Sequence, residues 1–186
     1  VQPDENLIVL EPKIEFNLPF YEHQIIRIPD FLELHNLFQQ NEYDRIVCST
    51  EGIMGLMSVY LKNAYSVPAH FYMHTDWLMF ARKVMNIDRN NLNRLRRLLR
   101  AYYQQFDGIF VLNSDQQAWL STPDMGIEPQ KIKRTAHWAD PIFTPVQSQK
   151  MKLFGVNDQT KVILYAGRIS YEKGVADLPE ILQHVQ

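Results

Sequence analysis

The sequence has 186 residues, of which 46% are hydrophobic and 22% charged, a composition typical of a globular protein and unlike that of a disordered chain. The net charge of −2, from 19 basic and 21 acidic residues, argues against a nucleic-acid-binding protein. The single cysteine, Cys48, cannot form an internal disulfide, which favours a reducing compartment such as the cytoplasm.

The N-terminal residues predict two short extended segments and an amphipathic helix. Apolar residues 7–10 and 24–28 are typical of short strands or of extended loop, and prolines separate them. Apolar residues recur at helical spacing over residues 31–38, which predicts a helix with Asp30 as its N-cap.

Buried strands and helices then alternate along the middle of the chain. The strand-like runs are residues 43–48, 67–73 and 107–112, and residues 131–135 could form a fourth strand. Helices are predicted between them, at residues 53–64, from about Trp77, over 92–106 and after Asn113. This alternation is typical of a parallel sheet with helices on both faces, so the sequence predicts an α/β, Rossmann-like fold.

The C-terminal residues predict the start of a second sheet. Residues 141–149 are rich in Pro, Thr, Gln and Ser and predict a linker, with a short helix over 146–154. Residues 161–167 then read as a buried strand that ends in glycine. A helix that opens at Lys173 and Gly174 is expected to follow.

Candidate binding residues follow the predicted strands, because ligands of open parallel sheets bind at the carboxyl ends of the strands. Four groups occupy these positions: Glu51 with Gly52, His74 with Asp76, Asn113 with Ser114, and Gly167 with Arg168. Glu51 is also consistent with a helix-cap carboxylate, and most histidines at such positions are structural.

Arg168 and Lys173 are candidates for binding a diphosphate. Arg168 offers a planar fork of donors and Lys173 a mobile charge, and both lie around a predicted helix N-terminus. Gly167 has no side chain, so a ligand could approach the backbone closely. The residues alone equally allow an arginine on a surface loop and a lysine in a first helical turn.

Several motifs in order resemble one enzyme family. Residues 162–174 resemble an apolar strand followed by G-R-x-x-x-x-K-G, and residues 71–76 a strand ending in H-T-D. Residues 107–114 and 139–145 resemble that family's next strand and its inter-domain linker. The family is the retaining GT-B glycosyltransferases, family 4 (group 1).

The resemblance implies a truncated GT-B enzyme. Residues 1–143 would form the acceptor-side domain without its first strand and helix, and residues 144–186 the linker and the first βα unit of the nucleotide-sugar-binding domain. The reaction would be hexosyl transfer from a nucleotide-diphosphate sugar to an acceptor hydroxyl with retained configuration. The fragment alone is expected to be inactive, because most of the nucleotide pocket would follow residue 186.

The resemblance also implies roles for individual residues. Arg168 and Lys173 would bind the donor diphosphate and stabilise the leaving group, with Gly167 giving room. His74 would lie over the donor sugar and stabilise developing charge. Asp76 would orient His74 or the acceptor, and Glu51 with Gly52 would meet a hydroxyl group.

No metal site or cofactor is predicted. The six histidines are scattered, and the chain has neither a cysteine pair nor a D-x-D sequence. The expected partners are the nucleotide sugar and a sugar, glycan or lipid acceptor.

Four arginines on one predicted helix indicate either a solvated face or a contact with anionic lipid. They are Arg94, Arg96, Arg97 and Arg100. No apolar run approaches the ~20 residues that span a bilayer, and the first residues lack the pattern of a signal peptide. A cytoplasmic protein is therefore expected, with the inner face of the membrane as a possible contact.

Two alternative functions stay open. A non-catalytic module could bind a glycan or nucleotide with the same sheet. Another GT-B-type sugar-phosphate enzyme, such as an epimerase or a phosphorylase, would share the architecture.

Overall fold

The structure is a computed structural model, and it describes residues 7–18, 21–136, 162–167, 169 and 173–185. The chain divides into two compact units, Val1–His137 and Trp138–Gln186. The predicted boundary between residues 143 and 144, like the predicted linker and the helix at 146–154, lies outside the described residues and stays a prediction.

The first unit opens with an antiparallel hairpin of β1 (Pro12–Leu18) and β2 (Tyr21–Pro29). Of the two alternatives predicted for residues 7–10, the structure shows the extended loop, since Leu7 forms only an isolated bridge and the strand begins at Pro12. Proline is tolerated at the first residue of a strand, where its missing N–H is not needed. Pro12, which we expected to separate two apolar segments, therefore starts a strand.

A four-stranded parallel sheet forms the centre of the unit, in the order β3-β4-β5-β6. Its strands are β3 (Ile46–Cys48), β4 (Ala69–Tyr72), β5 (Gly108–Val111) and β6 (Ile132–Arg134). Each of these strands lies within one of the four segments that the sequence predicts as strands. The α/β, Rossmann-like prediction is confirmed, because helices connect these strands.

The described residues of this unit form five α-helices. They are α1 (Phe31–Gln40), α2 (Ile53–Tyr65), α3 (Trp77–Lys83), α4 (Arg89–Tyr103) and α5 (Ser114–Leu120). Asp30 caps α1 as predicted, since its Oδ1 accepts the Leu32 N–H at 2.9 Å. The cap of α5 is Asn113, whose Oδ1 accepts the Gln116 N–H at 2.9 Å.

The core lies between one face of the sheet and helices α4 and α5. Alternate residues of the central strands point into it, among them Phe71, Met73, Ile109 and Val111, all at most 1% exposed. Tyr103 and Phe106 pack against Phe71 with ring centroids 5.2 and 5.3 Å away. This aromatic contact fixes the C-terminal end of α4 against strand β4.

Asp107 has a structural role where β5 begins. Its carboxylate accepts hydrogen bonds from Lys62 Nζ and from the Ala69 N–H, both at 2.8 Å. Burial alone would raise the pKa of Asp107, but these two donors together hold it below its usual value. Asp107, the first residue of the motif at residues 107–114, thus joins α2 to strands β4 and β5.

We expect Asp107→Ala to lower the free energy of unfolding by about 1 kcal/mol, since the lost partners are charged or backbone donors at a half-exposed site. The folded-state pKa is depressed, so this stability is present above the unfolded-state pKa and disappears as pH falls through the folded-state pKa. Urea denaturation at pH 7 and pH 3 measures it, with Asp44→Ala as the exposed control. An equal loss of unfolding free energy at both pH values would contradict the stabilising role of the ionised Asp107 carboxylate.

The second unit differs from its prediction. Val162 to Ala166 has no regular secondary structure, and Leu164 is 80% exposed, so the predicted buried strand is not found in the described residues. A strand needs a neighbour to pair its backbone groups, and the described residues of this unit include no second strand. A helix does follow: a 3-10 turn at Val175–Asp177 leads into α6 (Leu178–Val185).

Candidate functional site

Glu51 and His74 lie at the same edge of the sheet. Strands β3 and β4 are parallel neighbours, and Cys48 is paired with Phe71 in their register. Each candidate follows its registered residue by three positions. The carboxyl edge of the sheet therefore carries an acidic and an imidazole side chain close together, as the strand-end argument predicted.

The Glu51 carboxylate is held by two neutral donors. Trp77 Nε1 donates to Oε2 at 2.7 Å, and the Tyr103 hydroxyl donates to Oε1 at 2.8 Å. Trp77 opens α3 and Tyr103 ends α4, so two helices converge on the loop between β3 and α2. Neither donor directly follows a strand, and neither stands out in the sequence as a candidate binding residue.

Burial raises the pKa of Glu51 above its usual value, while the hydrogen bonds from Tyr103 and Trp77 and the nearby His74 partly offset this effect. The same carboxylate, together with burial, raises the pKa of the Tyr103 hydroxyl, which stays protonated as a donor. The arrangement is a half-buried acidic acceptor with a preset orientation.

His74 is exposed at this edge. Its ring stands edge-on to Tyr72, with centroids 4.2 Å apart, and the Tyr72 hydroxyl donates to the Ala136 carbonyl at 3.4 Å. An exposed imidazole that is supported from one side can donate or accept a hydrogen bond to a ligand above the sheet edge.

Asp76 and Gly52 both begin helices. Asp76 caps α3, with Oδ1 accepting the Met79 N–H at 2.9 Å. Gly52 is the N-cap residue of α2, and its N–H donates to Thr50 Oγ1 at 3.1 Å. These capping contacts explain both residues structurally, and their predicted contacts with an acceptor stay predictions.

The loop that carries Glu51 is tightly packed. The Tyr102 hydroxyl donates to the Thr50 carbonyl at 2.8 Å, directly beside the Tyr103 contact with Glu51. Gly55, in the first turn of α2, faces the same two groups, and a methyl group there would overlap Thr50 O and Tyr102 Oη. Adjacent tyrosines of α4 therefore hydrogen-bond adjacent residues of the loop: Tyr102 bonds the backbone of Thr50, and Tyr103 bonds the side chain of Glu51.

In the second unit, the described site residues are Gly167 and Lys173, and both are exposed. Among the described residues, a Cβ atom at Gly167 would meet the Tyr165 side chain first, at 3.2 Å from its hydroxyl oxygen. Gly174 has φ +70°, a left-handed conformation that favours glycine directly after the lysine. Arg168 lies outside the described residues, so its role stays a prediction.

Two further structural findings concern the described residues alone. They contain no group of three or more His, Cys, Asp or Glu side chains that could hold a metal ion. None of the helices within these ranges is both long enough and apolar enough to cross a bilayer.

The chain is similar to one curated glycolipid enzyme. It is 23% identical over 178 residues to the alpha-monoglucosyldiacylglycerol synthase of Streptococcus pneumoniae, a match that covers 84% of this chain and 40% of the relative. No protein-family profile and no solved structure matches the chain. The chain spans less than half of the relative's length, and the similarity supports the glycosyltransferase prediction drawn from the motifs.

We expect Glu51→Gln to change how stability depends on pH. A glutamine can turn its oxygen to Trp77 and its amide to the Tyr103 oxygen, so it mimics the protonated acid. Because the folded-state pKa of Glu51 is raised, its contribution to stability is full below the unfolded-state pKa and declines as pH rises through the folded-state pKa.

The thermal midpoint of the wild type should therefore fall relative to that of Glu51→Gln between pH 4 and pH 7. Scanning calorimetry of both proteins at each pH measures the difference. A constant difference across this range would show that burial of Glu51 is not linked to its protonation.

Proposed function

We propose that this protein is a glycosyltransferase of the retaining GT-B type, family 4, that transfers a hexose from a nucleotide-diphosphate sugar to an acceptor hydroxyl. The observation that carries the proposal is the similarity over 84% of the chain to a synthase whose name describes a glucosylated lipid. The order of the sequence motifs supports the same family independently of that match.

The proposed reaction assigns one task to each unit. Arg168 and Lys173 bind the donor diphosphate and stabilise its developing charge by preorganised electrostatics. His74 hydrogen-bonds the donor sugar at the sheet edge, where it is exposed. We also propose that the fragment alone is inactive, since it spans 40% of the relative.

A lipid acceptor is the second part of the proposal. The basic face of α4 comprises Arg94, Arg96, Arg97 and Arg100. Arg96 is paired with Asp124, and Arg100 packs over Gly126, which leaves Arg94 and Arg97 as its most available charges. Leu98 is 68% exposed on the same side of the helix. Arginines around an exposed leucine suit contact with anionic lipid at the cytoplasmic face of a membrane.

We expect Arg94→Ala/Arg97→Ala to weaken binding to vesicles that contain 30% phosphatidylglycerol by about 30-fold, since each of the two basic residues near an anionic surface contributes about 1 kcal/mol. Vesicle co-sedimentation measures the bound fraction. Arg45→Ala, an exposed arginine outside α4, is the matched control. Equal binding of the wild type to anionic and to neutral vesicles would contradict the lipid contact.

The transfer reaction tests the proposed function. The full-length protein is incubated with dioleoylglycerol and with UDP-glucose, GDP-mannose or ADP-glucose. The lipid products are then separated and identified by mass spectrometry. We expect one donor to yield a glycolipid whose anomeric configuration, measured by NMR coupling constants, equals that of the donor. An inverted product would overturn the retaining mechanism, and no product with any donor would overturn the lipid acceptor.

A further inference from the structure

The Glu51 carboxylate is oriented from both sides. Trp77 and Tyr103 lie 26 and 52 positions away in sequence, and each occupies a different oxygen, at 2.7 and 2.8 Å. A carboxylate has about four acceptor positions, so each Glu51 oxygen keeps capacity for a further hydrogen bond. The remaining capacity lies at the carboxyl edge of the sheet, since Glu51 follows strand β3.

Both donors are themselves fixed by packing. Tyr103 is 1% exposed and contacts the rings of Phe71 and Trp119, with centroids 5.2 and 6.3 Å away. Trp77 is half-buried and stands edge-on to Phe80 at 5.6 Å. Neither ring can turn away without losing core contacts, so the direction of the Glu51 carboxylate is set before any ligand binds.

Within the part of the chain that the structure describes, the Glu51 carboxylate makes no ion pair. The ion pairs found in the described residues join other side chains, and the donors to Glu51 are both neutral. A half-buried acid without a cation is unfavourable for folding, and an amide of the same shape could bond both groups, its oxygen accepting from Trp77 and its NH2 donating to the Tyr103 oxygen. What the carboxylate offers beyond an amide is a stronger acceptor for an incoming hydroxyl group.

The polar groups around Glu51 are consistent with a site for a polar ligand. His74 follows the neighbouring strand and acts on Glu51 electrostatically, while Asp76 acts on the adjacent Tyr103 hydroxyl. His74 is exposed and Glu51 half-buried, so a ligand above the sheet edge would meet the imidazole first and the carboxylate deeper in the site.

We propose that Trp77 and Tyr103 are positioning residues, which hold the Glu51 carboxylate so that it accepts a hydrogen bond from a hydroxyl group of the sugar donor or of the acceptor. This inference rests on the proposed glycosyl transfer. It adds two residues that no sequence motif indicated. It also assigns to Glu51 the binding of a hydroxyl group.

Four variants of the full-length protein test it, with UDP-glucose and dioleoylglycerol as probes. Trp77→Phe and Tyr103→Phe each remove one donor, and Glu51→Gln removes the charge. Tyr102→Phe is the matched control, because it removes an equivalent hydroxyl that donates to Thr50 instead. The KM for each substrate and kcat are measured, and thermal unfolding reports whether each variant is folded.

We expect Trp77→Phe, Tyr103→Phe and Glu51→Gln each to raise one KM about 10-fold, the loss that corresponds to one oriented hydrogen bond to a charged group. In the Glu51→Gln background, Tyr103→Phe should add little, because the two residues act through one contact. Tyr102→Phe should leave both KM values unchanged. Hydrolysis of UDP-glucose without acceptor distinguishes the source: a raised KM there assigns the hydroxyl to the donor sugar, and a raised KM only in transfer assigns it to the acceptor.

Additive effects of Glu51→Gln and Tyr103→Phe, or an equal effect of Tyr102→Phe, would overturn the inference and leave the proposed function standing. Absence of both transfer and acceptor-free donor hydrolysis by the wild type, with every nucleotide sugar, would overturn both. If Tyr103→Phe does not fold, the half-buried Trp77→Phe gives the same comparison, and an unchanged KM in that variant would refute the positioning role.

Discussion

Replacing Gly55 with alanine is expected to lower the free energy of unfolding by at least about 3 kcal/mol, although alanine normally stabilises a helix. The added methyl group would overlap the Thr50 carbonyl and the Tyr102 hydroxyl, which are hydrogen-bonded to each other at 2.8 Å. Relief would require the β3–α2 loop to move away from α4. Chemical denaturation of the purified chain measures the loss.

Gly52→Ala is the matched control for this prediction. A Cβ atom at Gly52 would lie at an ordinary 3.4 Å from Thr50 Oγ1, and φ is −78°, which any residue can adopt. We expect a loss below about 1 kcal/mol, the scale of a weakened N-cap. Similar losses in the two variants would contradict the close approach of Thr50 and Tyr102 to Gly55.

Replacing Phe71 with alanine is expected to lower the free energy of unfolding by about 3–5 kcal/mol. The ring is fully buried and contacts three aromatic rings, those of Tyr102, Tyr103 and Phe106, with centroids 5.2 to 5.6 Å away. The cavity would lie beneath the residues that hold Glu51, so the activity of the variant should fall together with its stability. Denaturation and circular dichroism measure the effect.

Phe110→Ala is the control on the opposite face of the sheet. Phe110 is half-buried and stacks on His70 with centroids 5.7 Å apart. Because less apolar surface is removed from contact, we expect a loss of about 1–2 kcal/mol. A larger loss from Phe110 than from Phe71 would contradict the position of the core.

The parallel sheet was predictable because its strands are short apolar runs that helices separate. That pattern also placed Glu51 and His74 at one edge, since parallel strands share the direction in which they end. The β1–β2 hairpin was harder to predict, because a proline such as Pro12 can begin a strand as well as interrupt one. The predicted strand at residues 161–167 failed in the described residues because apolar composition does not supply a neighbouring strand.

The environment of Glu51 could not be predicted from local sequence. Tyr102 and Tyr103 are adjacent and chemically alike, and only the rotation of α4 decides which hydroxyl reaches the carboxylate. Trp77 likewise reads as the first apolar residue of a helix, whereas its indole N–H is the feature that matters here. Such contacts depend on the packing of three elements, which periodicity does not encode.

Binding of a nucleotide sugar by the full-length protein tests the central proposal most directly. Isothermal titration calorimetry with UDP-glucose, GDP-mannose and ADP-glucose should show one donor that binds, with affinity reduced about 100-fold in Arg168→Ala and in Lys173→Ala, since each removes a charged contact with the diphosphate. Binding that both variants retain would contradict the diphosphate role. Absence of binding by every nucleotide sugar would contradict the glycosyltransferase proposal and favour a non-catalytic module.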